Sequence, residues 1–228
     1  PDTTSWRLGA TAAKSTLLGR AAARYLGNTT VAPSLTFPWG ARRAAAELPA
    51  PPAFAVSIDV ESAAEDLQHG VDESYTLDVS AGQRTATLRS PSVFGALRAL
   101  ETLSQLVVPV DRDEGGGYAL PLAPWSIVDK PEHSWRGLML DTSRRYYTVP
   151  RIMSFIDAMA QHKLNVLHWH VTDAVSLPLV STTFPNLTLG AFSNDAIYTP
   201  TEVEDLLAYA KDRGVRVVLE LDMPGHNW

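Results

Sequence analysis

The sequence predicts an α/β chain in two parts: a small α+β domain over residues 1–133, then a βαβαβ segment over residues 134–228. Three observations predict it. Short runs of period-2 alternation precede an amphipathic helix in the first part. The second part alternates Val- and Leu-rich runs with helical stripes. Each of those apolar runs ends in a cluster of ionisable residues.

In the first part, residues 10–26 (ATAAKSTLLGRAAARYL) space Leu17, Leu18, Ala21, Tyr25 and Leu26 at near-helical intervals, and Gly27 and Asn28 fit a helix stop. Pro33, Pro38, Pro49, Pro51 and Pro52 mark an irregular loop. FAVSIDV (54–60), YTLDV (75–79) and TATL (85–88) then alternate as strands, expected to be antiparallel with one wet face. Pro91 and Ser92 start a helix whose stripe is Val93, Ala96, Leu97, Leu100, Leu103 and Leu106. Strands followed by one helix make an α+β domain, ended by Gly115, Gly116 and Gly117 and a Pro-containing stretch.

In the second part, GLMLD (137–141), NVLHWHV (165–171) and VRVVLEL (215–221) read as strands. Between them lie a helix over 150–162, with Ile152, Phe155, Ile156 and Met159 on one stripe, and a helix over 201–213, with Val203, Leu206, Leu207 and Ala210 inward and Gly214 as its stop. Strands of this composition are expected to be parallel and buried on both faces, in a doubly wound sheet or a (β/α)8 barrel. Three strands are fewer than the eight a barrel needs.

Composition narrows the function. Lys and Arg number 19 against 25 Asp and Glu, a net charge of −6, which argues against nucleic acid or an anionic membrane as partner. With no cysteine, disulfide scaffolds, thiolate zinc sites and cysteine nucleophiles are excluded. No apolar run reaches the ~18 residues of a membrane span. The start at Pro1, without a signal-peptide core, reads as a processed chain or a fragment.

The ionisable clusters are DTSRR (141–145), HWHVTD (168–173) and ELDMPGH (220–226). In α/β barrels the carboxyl ends of the strands carry the active site. His168 and His170 share one face of a strand. With Asp173 and His226 they could ligate zinc, which would make the chain a metal-dependent barrel hydrolase. The competing reading is a pair of hydrogen-bonded core histidines flanking Trp169.

The runs RGLMLDTSR (136–144), KLNVLHWHVTD (163–173) and ELDMPGH (220–226), in this order, resemble the β-N-acetylhexosaminidases of glycoside hydrolase family 20. YTPTEVEDLLAYAKDRG (198–214) is similar to the helix between the second and third blocks, and FGALRALETLSQL (94–106) to the last helix of that family's N-terminal α+β domain. The resemblance implies that residues 134–228 are the first three βα units of a (β/α)8 TIM barrel. It further implies removal of terminal non-reducing β-linked N-acetylglucosamine or N-acetylgalactosamine from glycoconjugates or chito-oligosaccharides. Configuration is retained because the substrate's own 2-acetamido oxygen attacks, an exception to the two-carboxylate scheme. No metal or cofactor is implied.

By the same resemblance Arg144 binds the 3- and 4-hydroxyls of the terminal sugar. Asp173 and His226 form a supporting pair behind the catalytic Glu. That Glu belongs to an Asp-Glu pair at a later strand end. The acidic pairs Glu65-Asp66, Asp72-Glu73, Asp113-Glu114 and Glu204-Asp205 stand at no strand's carboxyl end, so the catalytic pair is expected beyond Trp228. Arg145, Val175 and Met223 depart from the family's His, Gln and Thr. Asn28 and Asn186 begin N-glycosylation sequons, which with this family favour a secreted or lysosomal/vacuolar glycoprotein. The full-length protein is expected to bind N-acetylhexosamine-terminated glycans, with a homodimer as its candidate assembly. The alternative outside enzymology is a fragment or pseudoenzyme that binds glycans or a protein partner.

Overall fold

The computed structural model describes residues 4–26, 54–80, 85–109, 118–120 and 122–226. The loop prolines 33–52, Gly27, Asn28, the acidic pair at 113–114 and the glycines 115–117 lie outside the described residues. The chain forms two compact units, Pro1–Asp66 with Gly70–Ser134, and Leu67–His69 with Trp135–Trp228.

In the first unit the elements run β1 (Thr4–Leu8), α1 (Thr16–Leu26), β2 (Phe54–Val60), β3 (Tyr75–Ser80), β4 (Thr85–Ser90), α2 (Val93–Leu106), β5 (Val108–Pro109), β6 (Tyr118–Ala119) and β7 (Trp125–Asp129). The alternating runs bury one face as expected: Val56, Ile58 and Val60; Tyr75, Leu77 and Val79; Ala86 and Leu88. They are not uniformly antiparallel. The five-stranded sheet has the order β1-β2-β4-β3-β7, with β1-β2 and β2-β4 parallel and β4-β3 and β3-β7 antiparallel. The chain leaves β2 by a long connection, skips one position to lay down β3, and the β3–β4 hairpin returns β4 into the gap beside β2.

The expected helix over 10–26 is interrupted. A 3-10 turn (Ala12–Lys14) ends at Ser15, whose hydroxyl accepts from the Leu18 N–H at 3.0 Å and so caps α1. The Glu65 carboxylate accepts from the Leu17 N–H at 2.9 Å and from the Ser15 hydroxyl at 2.9 Å, placing an anion at the positive end of the helix. Ser92 caps α2 by accepting from the Gly95 N–H at 3.1 Å. The buried Arg98 of α2 donates from Nε and Nη2, each at 2.7 Å, to one oxygen of Glu73.

The second unit runs β8 (Gly137–Asp141), α3 (Val149–Gln161), β9 (Val166–Thr172), α4 (Pro200–Lys211) and β10 (Arg216–Leu221), with a parallel sheet of order β10-β9-β8. Pro sits in the first turn of both helices. Thr199 and Glu202 close a capping box on α4. Gly214 adopts φ 66, and the Val215 N–H returns to the Ala210 carbonyl at 2.9 Å, so the chain turns out of α4 straight into β10.

Leu167, Trp169 and Val171 of β9 pack with Ile152, Ile156 and Met159 of α3 and Leu206 and Ala210 of α4. Leu207, expected inward, is exposed, because the stripe runs through positions 203, 206 and 210. Burial on both faces is approached by β9, where only His168 stays partly exposed. Each of the flanking strands pairs on one side only among the described residues, and exposes Leu138 and Met139 on β8 and Leu219 and Leu221 on β10.

A side chain at Gly95 has no room: its Cβ would stand 2.2 Å from the Ser90 Oγ and 2.4 Å from the Ser74 carbonyl. Gly95→Ala should therefore lower stability by about 1–3 kcal/mol despite the better helix propensity of Ala. Denaturant unfolding measures this; a variant as stable as the wild type would show that α2 is free to lift from β3.

Candidate active site

Three strand ends build the site. The parallel register aligns Asp141 of β8 with His170 of β9, and His170 with Glu220 of β10. Period 2 then sends Leu167, Trp169 and Val171 to the helices and His168 and His170 to the opposite face.

Each strand end is followed by a turn that aims a polar side chain. After β8, Asp141 Oδ1 accepts from the Ser143 and Arg144 N–H groups, both at 3.0 Å, and Oδ2 accepts from Arg144 Nη1 at 2.7 Å. Burial works to raise the Asp141 pKa, but the Arg144 hydrogen bonds and the charges of Arg144 and His170 outweigh it, and the carboxyl sits below its usual range. After β9, paired backbone bonds join Asp173 and Ser176 in a tight turn, and the Ser143 hydroxyl donates to the Ser176 carbonyl at 2.7 Å. Trp169 Nε1 donates to Thr142 Oγ1 at 2.8 Å, locking the first loop to the second strand. After β10 the chain reaches His226, at φ 60.

These turns bring Arg144, Asp173 and His226 together. Asp173 is 4% exposed. Its Oδ2 lies 2.6 Å from Arg144 Nη2, 3.0 Å from His170 Nε2 and 3.2 Å from His226 Nδ1, and its Oδ1 accepts from the Ala174 N–H at 2.7 Å. Burial works to raise Asp173, yet the hydrogen bonds from His170 and Ala174 and the charge of Arg144 prevail, so it too is held low. His226 Nδ1 is also 3.4 Å from Arg144 Nη2. A nitrogen that donates to a carboxylate cannot accept from a guanidinium, so the proton on Nδ1 belongs to the Asp173 bond. Nε2 stands 4.0 Å from Asp222 Oδ2.

Residue-by-residue reading of the sequence did not anticipate the roles of Glu220, Asp222 and Asp141. Glu220 binds both strand histidines, contacting His168 Nε2 with one oxygen and His170 Nδ1 with the other at 3.0 Å. The His170 bond is the main cause that holds the Glu220 pKa down. The signal was available: parallel strands that end together place their last acidic and imidazole residues in one row.

The zinc reading of the histidine pair does not match this arrangement. His168 and His170 share Glu220. The group with metal-like proximity is instead His170, Asp173 and Asp222, with one donor atom each within 4.8 Å of the others. The Arg144 guanidinium already holds the Asp173 oxygen that His170 uses, so the site carries its own organic cation. Of the sequons, Asn186 is exposed in a 3-10 turn (Pro185–Gly190), and Asn28 lies outside the described residues. Val175 and Met223, which depart from the family pattern, are both exposed. No helix among the described residues is long and apolar enough to cross a membrane.

The chain has relatives among known proteins. The profile "Glycosyl hydrolase family 20, catalytic domain" matches residues 133–228, and the profile "beta-acetyl hexosaminidase like" matches residues 9–106. The chain is 43% identical over 173 residues to beta-hexosaminidase subunit B2 of Dictyostelium discoideum, covering 75% of this chain and 30% of that protein. It is 45% identical over 173 residues to the beta-hexosaminidase subunit beta of Mus musculus, covering 75% and 31%. The chain thus spans about a third of the length of the curated relatives it matches. Among solved structures, a chitobiase of Flavobacterium johnsoniae superposes with a TM-score of 0.74 at 30% identity, over 98% of this chain and 32% of that one. The β-N-acetylhexosaminidase of Bacteroides fragilis superposes with a TM-score of 0.69 at 25% identity, over 99% and 41%. Both compact units therefore find their counterparts in a single family, and the chain belongs to glycosyl hydrolase family 20.

Proposed function

We propose that the protein carrying this chain is a retaining β-N-acetylhexosaminidase that removes terminal non-reducing N-acetylglucosamine or N-acetylgalactosamine. Residues 1–133 would be its N-terminal α+β domain and residues 134–228 the first three βα units of its TIM barrel. The observation that carries this reading is the convergence of Arg144, Asp173 and His226, from three strand ends, around one buried carboxylate.

In the proposed mechanism the exposed edge of Arg144 binds vicinal sugar hydroxyls, since a guanidinium offers five fixed donors and Asp141 and Asp173 do not use them all. The 2-acetamido oxygen attacks the anomeric carbon as the glycosidic bond breaks, giving an oxazolinium ring. The departing oxygen takes its proton from a Glu that we place outside residues 1–228. Water then attacks the same carbon and reopens the ring, so configuration is retained. His226, held by Asp173 through Nδ1, turns Nε2 toward that Glu and positions it.

We further assign the protein to a secreted or lysosomal/vacuolar compartment, with glycans on Asn28 and Asn186, supported by the two sequons and the exposure of Asn186. A homodimer is the assembly we propose for the full-length protein. The test of the activity is release of aglycone from an aryl β-N-acetylglucosaminide by the full-length protein. Turnover with retained configuration is expected. Binding of N-acetylglucosamine without turnover would replace the enzyme by a glycan-binding protein, and turnover abolished by chelators would restore the metal-dependent reading.

Two substitutions in the full-length enzyme should separate by kinetic signature. Arg144→Ala should raise KM and lower kcat/KM by about 30- to 1,000-fold, the scale of lost hydrogen bonds to a charged group. Asp173→Asn keeps the shape but loses the charge, and should lower kcat by at least about a hundredfold with little change in KM. Because the Asp173 pKa is depressed, its contribution is complete above the ordinary carboxylate range and fades only as pH falls through the lowered value. Steady-state kinetics across pH reads all three; equal effects of both variants on KM alone would refute the division of labour.

A further inference from the structure

His170 is not needed to touch the sugar in the mechanism above, yet it is the most enclosed histidine of the second unit, 5% exposed. Its Nδ1 lies 3.0 Å from Glu220 Oε1 and its Nε2 lies 3.0 Å from Asp173 Oδ2. A neutral imidazole has one N–H and one lone pair. In that state one of the two carboxylates would face a lone pair at hydrogen-bond distance. Both contacts are hydrogen bonds only if both ring nitrogens carry protons.

We propose that His170 is a positioning residue, an imidazolium clamped between Glu220 and Asp173, which fixes the Asp173 carboxylate against Arg144 and His226 without contacting substrate. The inference rests on the hexosaminidase reading and adds to it a residue that sets the pH range of the same site. The charged groups facing the ring come from every neighbouring element: Asp141 at the end of β8, Glu220 and Asp222 from β10 and its following turn, and His168 and Asp173 from its own strand and turn. Arg144 and His226 reach the same Asp173 oxygen, Oδ2, that His170 contacts. A cation between the acids keeps Asp173 from being repelled by Glu220 and leaves both its oxygens aimed. Once the ring loses a proton, one carboxylate must turn away, and the Asp173–His226 contact loses its fixed geometry.

The sign of the pH effect follows. Burial works to lower the His170 pKa, but the hydrogen bonds to Glu220 and Asp173 and the charges of Glu220 and Asp141 outweigh it, leaving it above the ordinary histidine range. The clamp is therefore complete below that range and is lost as pH rises through the raised value, on the alkaline side of the profile.

The experiment uses the full-length enzyme, wild type, His170→Asn and Glu220→Gln, assayed with an aryl β-N-acetylglucosaminide across pH. His170→Asn should lower kcat by about tenfold to a hundredfold, the cost of a small misplacement, with KM nearly unchanged, and should remove the His170 part of the alkaline limb. Glu220→Gln takes away one anion and should move that limb to lower pH. Nitrogen NMR of the 15N-histidine-labelled wild type should find both His170 ring nitrogens protonated at neutral pH. The proposal is overturned by a neutral His170 tautomer, by alkaline limbs that superpose in all three proteins, or by losses confined to KM. If the wild type shows no turnover, the hexosaminidase reading fails, and the NMR spectrum alone decides whether the clamp exists. If His170→Asn does not fold, Glu220→Gln and the spectrum decide it.

Discussion

Asp173 is an anion in a place where water hardly reaches, and the site is arranged around making that tolerable. A buried carboxylate without partners costs several kcal/mol or neutralises itself. Here four donors converge on its two oxygens: the Arg144 guanidinium, the His170 and His226 rings, and the Ala174 N–H. Arg144 and His226 follow two other strands, so the demand of one carboxylate ties three strand ends to each other. Asp141 plays the same part for the turn that carries Arg144, accepting two backbone N–H groups and the side chain itself.

The fold supplies what such a cluster needs, a fixed register. Trp169, fully buried, sits between Leu140 and Leu219 in the strand register and packs on the helix face, so β9 cannot slide without extracting its largest side chain. A slip of one residue would turn His170 to the helices and Trp169 to the site. The core of α3, α4 and β9 thus sets which residues meet at the rim, and the Trp169 bond to Thr142 carries that order into the first turn.

How much of this was legible differs by residue. Period 2 put His168 and His170 on one face, and the helical stripes located α2, α3 and α4 to within a residue or two, because burial on one side writes its pattern into the chain. The roles offered for Arg144, Asp173 and His226 came from motif resemblance; their physical meeting depends on turns whose geometry no local pattern specifies. The zinc reading of the histidines rests on residue type and period-2 spacing, which cannot tell a ligand pair from two rings that share Glu220. In the first unit β1 and β7 went unnoticed. TSWRL leaves Trp6 exposed and Leu8 partly covered, and WSIVD leaves only Trp125 and Ile127 partly covered. The parallel pairing of β2 with β4 was also hidden, since the order of strands is set by long-range connection rather than by residue pattern.

The most direct test of the central claim is a crystal structure of the full-length protein with N-acetylglucosamine bound. The account predicts Arg144 within about 3 Å of adjacent ring hydroxyls while its other edge keeps Asp173 and Asp141, with His226 still donating to Asp173. A sugar bound away from the strand ends Asp141, Asp173 and Glu220, or an Arg144 that must abandon Asp173 to reach it, would contradict the account.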